Sequence, residues 1–182
     1  MNRINLRSIA GALSAVVVCA CATVAVAPAN AAAAKSLIGP VSSHDAYGYG
    51  ATKTTDAQIT GEPFKTALVF TNATAGKNSW DSGAAIGFTA GAAKGDKIVV
   101  TFYLRAVKPS SGKVEISIEQ PAAPYVSIGR QTFSATKSWQ KETYSLTATA
   151  PFTDAQEHLL FHTAFAAQTI EVGGLTIVDK GK

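Results

Sequence analysis

The sequence predicts an all-β fold, a sandwich of two antiparallel sheets. Three observations carry the prediction. Apolar and polar residues alternate with period two over several short runs, most cleanly in residues 113–120 and 142–149. Glycine and proline punctuate those runs. Helical periodicity is almost absent, while Thr, Ser, Ala and Gly are abundant and only 15% of residues are charged.

The first segment stands apart from this pattern. Arg3 and Arg7 precede an apolar stretch over residues 9–27, and Pro28-Ala29-Asn30-Ala31 offers an Ala-x-Ala cleavage site. Residues 1–31 therefore read as a secretory signal peptide, and the mature, extracellular chain is expected to start near Ala32. A retained membrane anchor is the alternative for an apolar run of this length. Both cysteines, Cys19 and Cys21, fall inside the leader, so the mature domain is expected to hold no disulfide. Cys21 loosely resembles a lipoprotein processing site, but Cys19 two places earlier departs from that pattern. Removing the leader leaves 14 basic against 12 acidic residues. With no Lys/Arg cluster, this balance gives no electrostatic case for nucleic acid or an anionic membrane as partner.

Residues 32–50 read as an arm or an irregular first strand, broken by Tyr47-Gly48-Tyr49-Gly50. Those tyrosines suit either sugar stacking or a turn that packs its rings locally. Residues 51–182 form the sandwich domain. A short apolar strand is expected from Ala67, and residues 79–89 alternate with glycine interruptions. A long strand is expected over residues 97–107, started by a Gly95-Asp96 turn. In residues 113–120, Val114, Ile116 and Ile118 share one face and Glu115, Ser117 and Glu119 the other. Pro121 and Pro124 end that strand, and a short one follows at 131–135. In residues 142–149, Tyr144, Leu146 and Ala148 face one way. Residues 151–157 are a loop, and strands at 159–164 and 169–178 finish the chain, with Gly173-Gly174 as a β-bulge. No internal repeat divides the chain, so one domain is expected. Pattern alone leaves jelly-roll and immunoglobulin-like topologies both open.

A carbohydrate presents C–H faces that pack on aromatic rings and hydroxyls that bond planar polar side chains. The residue types for such a site are Trp80, Tyr103, Arg105, Gln120, Tyr125, Arg130, His162 and Gln168. Each has a structural reading beside the functional one. Tyr103 and Arg105 lie on a strand apolar on both faces, which suits a groove or a doubly buried strand; Arg105 could simply pair with a carboxylate. Alternation groups Trp80 with Ile86 and Phe88 in the core unless Gly83 re-phases the strand. Trp139 reads as a lid on the sandwich. His162 shares a face with Leu160 and Ala164, and a lone strand histidine is usually hydrogen-bonded within the fold. Neither His44 nor His158 has zinc-like spacing to it. Glu115 and Glu119 could serve a hydrolase, but alternating strand glutamates are more often a solvated face. Nucleophile-elbow, phosphate-loop and His-Glu-x-x-His motifs are absent from the sequence. Asn72-Ala73-Thr74 is a glycosylation sequon in form only.

Five short motifs occur in series: Asn78-Ser79-Trp80-Asp81, Lys94-Gly95-Asp96, Phe102-Tyr103-Leu104-Arg105-Ala106, Ser138-Trp139-Gln140, and Phe161-His162 followed by Gln168-Thr169-Ile170-Glu171-Val172. The series, over residues 61–178, resembles carbohydrate-binding modules of families four, nine and twenty-two, which accompany xylanases and glucanases. The resemblance implies a galactose-binding-like jelly roll with a cleft across one sheet. It implies that Trp80 and Tyr125 stack sugar rings and that Arg130 and His162 bond hydroxyls, with Gln120 and Gln168 assisting. It implies a polysaccharide or oligosaccharide ligand of the xylan or β-glucan type, no catalysis, a monomer, and a separate glycoside hydrolase as partner. A glutamate of those families falls near Gly83 and is missing here. The Asn-Gly-Phe-Glu opening is also missing, which removes sequence support for their structural calcium, so no cofactor is expected. Two other functions compete: an extracellular structural or protein-interaction sandwich that lost the cleft, and a hydrolase or lyase with a dispersed acidic or Tyr/His site.

Overall fold

Strand formation follows the alternation. In the computed structural model, which describes residues 34–154 and 156–182, Ile98, Val100, Phe102, Leu104 and Ala106 are buried on one side of a twelve-residue strand. The intervening residues are half-exposed. The expected signal peptide, its two cysteines and the cleavage point lie outside the described residues.

Among the described residues there are eleven strands: β1 (Lys35–Ser36), β2 (Ala46–Tyr49), β3 (Thr52–Gln58), β4 (Thr66–Asn72), β5 (Gly83–Gly87), β6 (Lys97–Lys108), β7 (Ser111–Glu119), β8 (Ser127–Thr136), β9 (Gln140–Thr147), β10 (His158–His162) and β11 (Gln168–Asp179). One sheet runs β3-β4-β11-β6-β9, with β1 paired to the end of β11; the other runs β2-β5-β10-β7-β8. All pairings are antiparallel. This is the expected all-β architecture, a two-sheet jelly-roll sandwich.

The sheets are joined by their inner faces. Phe102 of β6 meets Phe133 of β8 and Phe161 of β10 edge-on, at centroid distances of 5.1 and 6.4 Å. Phe70 of β4 packs on Phe161 at 5.1 Å. Phe70, Phe102 and Phe161 are fully buried, and each contributes about 2–3 kcal/mol by leaving water. Gln168 adds a polar clamp between the sheets. From β11 its amide accepts from Lys113 N (3.0 Å) and donates to Lys113 O (2.7 Å) on β7.

Several local expectations change. Residues 79–89 are not one strand. Ser79–Asp81 is a 3-10 turn, and pairing begins only at Gly83. Residues 32–50 supply β1 and β2, the second being an edge strand of the five-stranded sheet. β3 has no counterpart in the sequence reading, and β8 is longer than residues 131–135. The Gly173-Gly174 bulge is present: pairing with β6 shifts between Gly173 and Thr176, and Gly174 has φ 57°. Asn72 of the apparent sequon is buried, its amide donating to the carbonyls of Thr74, Thr163 and Ala166.

Candidate functional site

Registers of the five-stranded sheet set three rows of side chains on its outer face. Tyr47, Ala85, Leu160, Ser117 and Arg130 form one row, and Tyr49, Gly83, His162, Glu115 and Thr132 the next. Gly87, His158 and Glu119 begin the third. On β5 the outward positions are thus Gly83, Ala85 and Gly87, a low floor with higher walls on both sides. The result is a cleft of about 740 Å³, within the size range of small-ligand sites.

Three aromatic rings stand open at this cleft: Tyr47 (73% exposed), Tyr125 (59%) and Trp80 (52%). Trp80 is presented by the 3-10 turn. The Asp81 carboxylate accepts from the amides of Lys77 (2.8 Å) and Asn78 (3.0 Å), and Ala164 N donates to Ser79 O (3.2 Å). The turn is therefore fixed to the end of β10, and the indole leaves the alternation that would have buried it. Tyr125 sits in the β7–β8 loop with φ 54°, a conformation uncommon for a bulky residue, and its amide donates to Ala122 O (2.9 Å).

A polar network lies beneath the rings. Ser117 Oγ donates to Glu119 Oε1 at 2.6 Å, and Arg130 donates to the same oxygen at 3.3 Å. Arg130 also stands 4.0 Å from Glu115 Oε1, which accepts from Ser79 Oγ at 3.2 Å. His162 is 2% exposed; its Nε2 points toward Glu119 (3.5 Å) and Glu115 (3.9 Å), and its Nδ1 lies 2.7 Å from the Tyr49 hydroxyl. Burial, reinforced by the two glutamates, pushes the Tyr49 phenol above its ordinary range, so it stays protonated. Burial also lowers the His162 pKa, against the opposing pull of the glutamates. The arrangement assigns a neutral imidazole that accepts from Tyr49 at Nδ1 and carries its proton on Nε2. That buried Nε2 makes no hydrogen bond; it faces Glu119 Oε1, the oxygen that Ser117 and Arg130 also approach, at 3.5 Å. Gly83 makes room for the phenol: a Cβ there would fall 2.6 Å from the Tyr49 hydroxyl.

Of the eight residues singled out by sequence, Trp80, Gln120, Tyr125, Arg130 and His162 line this cleft. His162 is too buried to be more than a floor residue, whereas Arg130 and Gln120 are accessible. The other three lie elsewhere, which corrects the expectation that they touch ligand. Gln168 is buried and committed to backbone partners in the clamp. Tyr103 and Arg105 belong to the outer face of the other sheet. There Arg105 pairs with Glu171, its guanidinium is 4.6 Å from the Trp139 ring, and Tyr103 packs on Phe64. Trp139 also meets Phe64, at 5.0 Å, so it is the lid that the sequence suggested.

The sequence reading left Tyr47 and Tyr49 between sugar stacking and local packing, overlooked Asp45 and His158 as cleft residues, and took Glu115 and Glu119 for a solvated face; Glu119 is 7% exposed. Shared parity of Tyr47 with Tyr49, and of His158 with His162, was the available signal. Among the described residues no group of three or more His, Cys, Asp or Glu side chains is arranged to hold a metal ion.

No protein-family model and no curated protein matches the chain by sequence. Solved structures do match its fold. A family 4 carbohydrate-binding module aligns with TM-score 0.57 and 18% identity, over 74% of this chain and 84% of that one. A family 22 xylan-binding domain from Paenibacillus barcinonensis aligns with TM-score 0.57 and 13% identity, over 81% and 93%. The N-terminal cellulose-binding domain of a Cellulomonas fimi β-1,4-glucanase aligns with TM-score 0.54 and 17% identity, over 76% and 91%. At these identities the likeness is one of fold.

Proposed function

We propose that this chain is a secreted, non-catalytic carbohydrate-binding domain whose cleft takes a β-linked polysaccharide of the xylan or β-glucan type. The observation that carries the reading is the cleft itself. Exposed Trp80, Tyr125 and Tyr47 rings border a floor of small residues and a buried charge network. Trp80 and Tyr125 stack sugar faces, while Arg130 and Gln120 bond hydroxyls. His162 and Tyr49 hold the floor from beneath. Solved structures with this fold include xylan-binding and cellulose-binding domains, which supports the same ligand class. Retardation in gels containing soluble xylan, mixed-linkage β-glucan or mannan tests the proposal. Slowed migration in xylan or β-glucan is expected; unchanged migration in all three would favour a protein-interaction sandwich.

Secretion belongs to the same proposal and rests on the leader at residues 1–31. Among the described residues, no helix is long and apolar enough to cross a membrane. Mass spectrometry of exported protein should place the N-terminus near Ala32 without lipid; a lipidated Cys21 would refute this.

The Glu115–Glu119 pair favours a second reading, a glycoside hydrolase, because both carboxylates are shielded beside the cleft. The non-catalytic reading is preferred because one oxygen of each is already engaged, by Ser79 at Glu115 and by Ser117 and Arg130 at Glu119. Release of reducing ends from the retarding polysaccharide would reverse that preference.

A further inference from the structure

The cleft carries an unbalanced charge. Asp45 stands exposed at its rim and Glu119 lines its floor, with Glu115 completing the network. Arg130 is the one Lys or Arg lining the cleft among the described residues. Its two terminal nitrogens face Glu119 at 3.3 Å and Glu115 at 4.0 Å. Three carboxylates thus stand against one guanidinium that is already paired. The two histidines do not restore the balance, because burial lowers the pKa of both His158 and His162 and leaves them neutral at neutral pH. Asp45 remains ionised, its carboxylate held below the usual range by hydrogen bonds from the Ser42 hydroxyl and amide. Apolar walls and a buried floor screen this field less than bulk water does.

We propose that the cleft discriminates glycans by charge, excluding uronate-bearing chains and accepting neutral chains or chains of 2-amino-2-deoxy sugars. A uronate carboxylate entering the cleft finds no unpaired cation and two net negative charges. An ammonium group on the sugar meets the opposite field. This inference rests on the proposal that the cleft binds glycans, and it adds which substituents the bound chain can carry.

Three β-1,4-linked hexasaccharides of matched backbone test it: cellohexaose, the glucosamine hexamer and the glucuronate hexamer, titrated calorimetrically near neutral pH and low salt. The glucuronate chain should bind about tenfold or more weakly than cellohexaose. The glucosamine chain should bind at least as tightly as cellohexaose, and half-molar salt should narrow the differences. Asp45→Asn, which keeps an acceptor for Ser42, should narrow the gap between glucuronate and cellohexaose affinity about threefold. Glucuronate binding equal to or tighter than cellohexaose would overturn charge discrimination while leaving glycan binding intact. Failure of all three, and of xylohexaose, would overturn the binding proposal and this inference with it.

Discussion

On the outer face of the six-stranded sheet, Arg105 sits beside Glu171 with Trp139 and Tyr103 close by. On the outer face of the five-stranded sheet, Arg130 sits beside Glu119 and Glu115 with Trp80 and Tyr125 close by. The residue types are the same and the outcomes differ. On the first face Phe64 crosses over β11, above Gly173, where a Cβ would run into its ring. It ties Tyr103 and Trp139 into a small cluster with Ile59 and Ala67. On the second face the corresponding space is left open by Ala85 and Gly87, and Trp80 and Tyr125 stand on turns at its edges. Gly173 thus admits a covering ring, as Gly83 admits the Tyr49 phenol, whereas Gly87 keeps a floor bare.

Substitutions that remove one aromatic from each face should separate a covered surface from an open one. Trp139→Ala should lower stability by about 2–4 kcal/mol, because it strips a partner from Phe64 and Arg105. It should leave glycan affinity unchanged. A urea melt and a titration on the same preparation check both halves; loss of binding with unchanged stability would place the ligand on the wrong sheet.

The next effect separates the faces by pH. Glu157, immediately before β10, is buried with Oε2 lacking a partner, and burial together with Glu119 raises its pKa to about 7. The folded state thus holds this proton more tightly than the unfolded chain, whose ordinary carboxyl value is 4.5. The stability linked to that proton is present below pH 4.5 and is lost as pH rises through about 7. Glu157→Gln should therefore stabilise the domain by about 2 kcal/mol above that window. It should give no gain below it, as read from denaturant midpoints at the two ends. An equal effect at both ends would show that the carboxyl is not the titrating group.

Trp80→Ala should cost about 1–3 kcal/mol of glycan affinity, on the scale of aromatic stacking with bases, with the melting midpoint unchanged. Tyr49→Phe is smaller, about 1 kcal/mol of stability. It removes the donor to His162 Nδ1 and leaves the rings in place. Chemical shifts of the His162 imidazole nitrogens should report the lost bond directly.

Legibility in the sequence follows from what each element buries. β7 and β9 could be read because their sequences alternate, β6 because it is a long run of β-branched and aromatic residues, and β11 because its pattern resumes beyond the Gly173-Gly174 bulge. β3 could not, since Thr52–Gln58 is a polar strand at the sheet edge with little to bury. The motif resemblance located Trp80, Tyr125, Arg130 and His162, but alternation alone would have buried Trp80, because nothing local announces the 3-10 turn. Gln168 was misread because a glutamine bonding sugar and one bonding Lys113 backbone look identical in one dimension. The Tyr49–His162 contact spans 113 residues and depends on two strand registers and one absent side chain.

Calorimetric titration of xylohexaose and cellohexaose into wild type and the Trp80→Ala/Tyr125→Ala double variant, with circular dichroism melts of both, decides whether these two rings hold glycan. Wild type should bind at least one hexasaccharide saturably. The double variant should lose that binding and melt superimposably with wild type. Binding that survives in the double variant, or a double variant that no longer folds, would contradict the assignment of these two rings as the open walls of a glycan cleft.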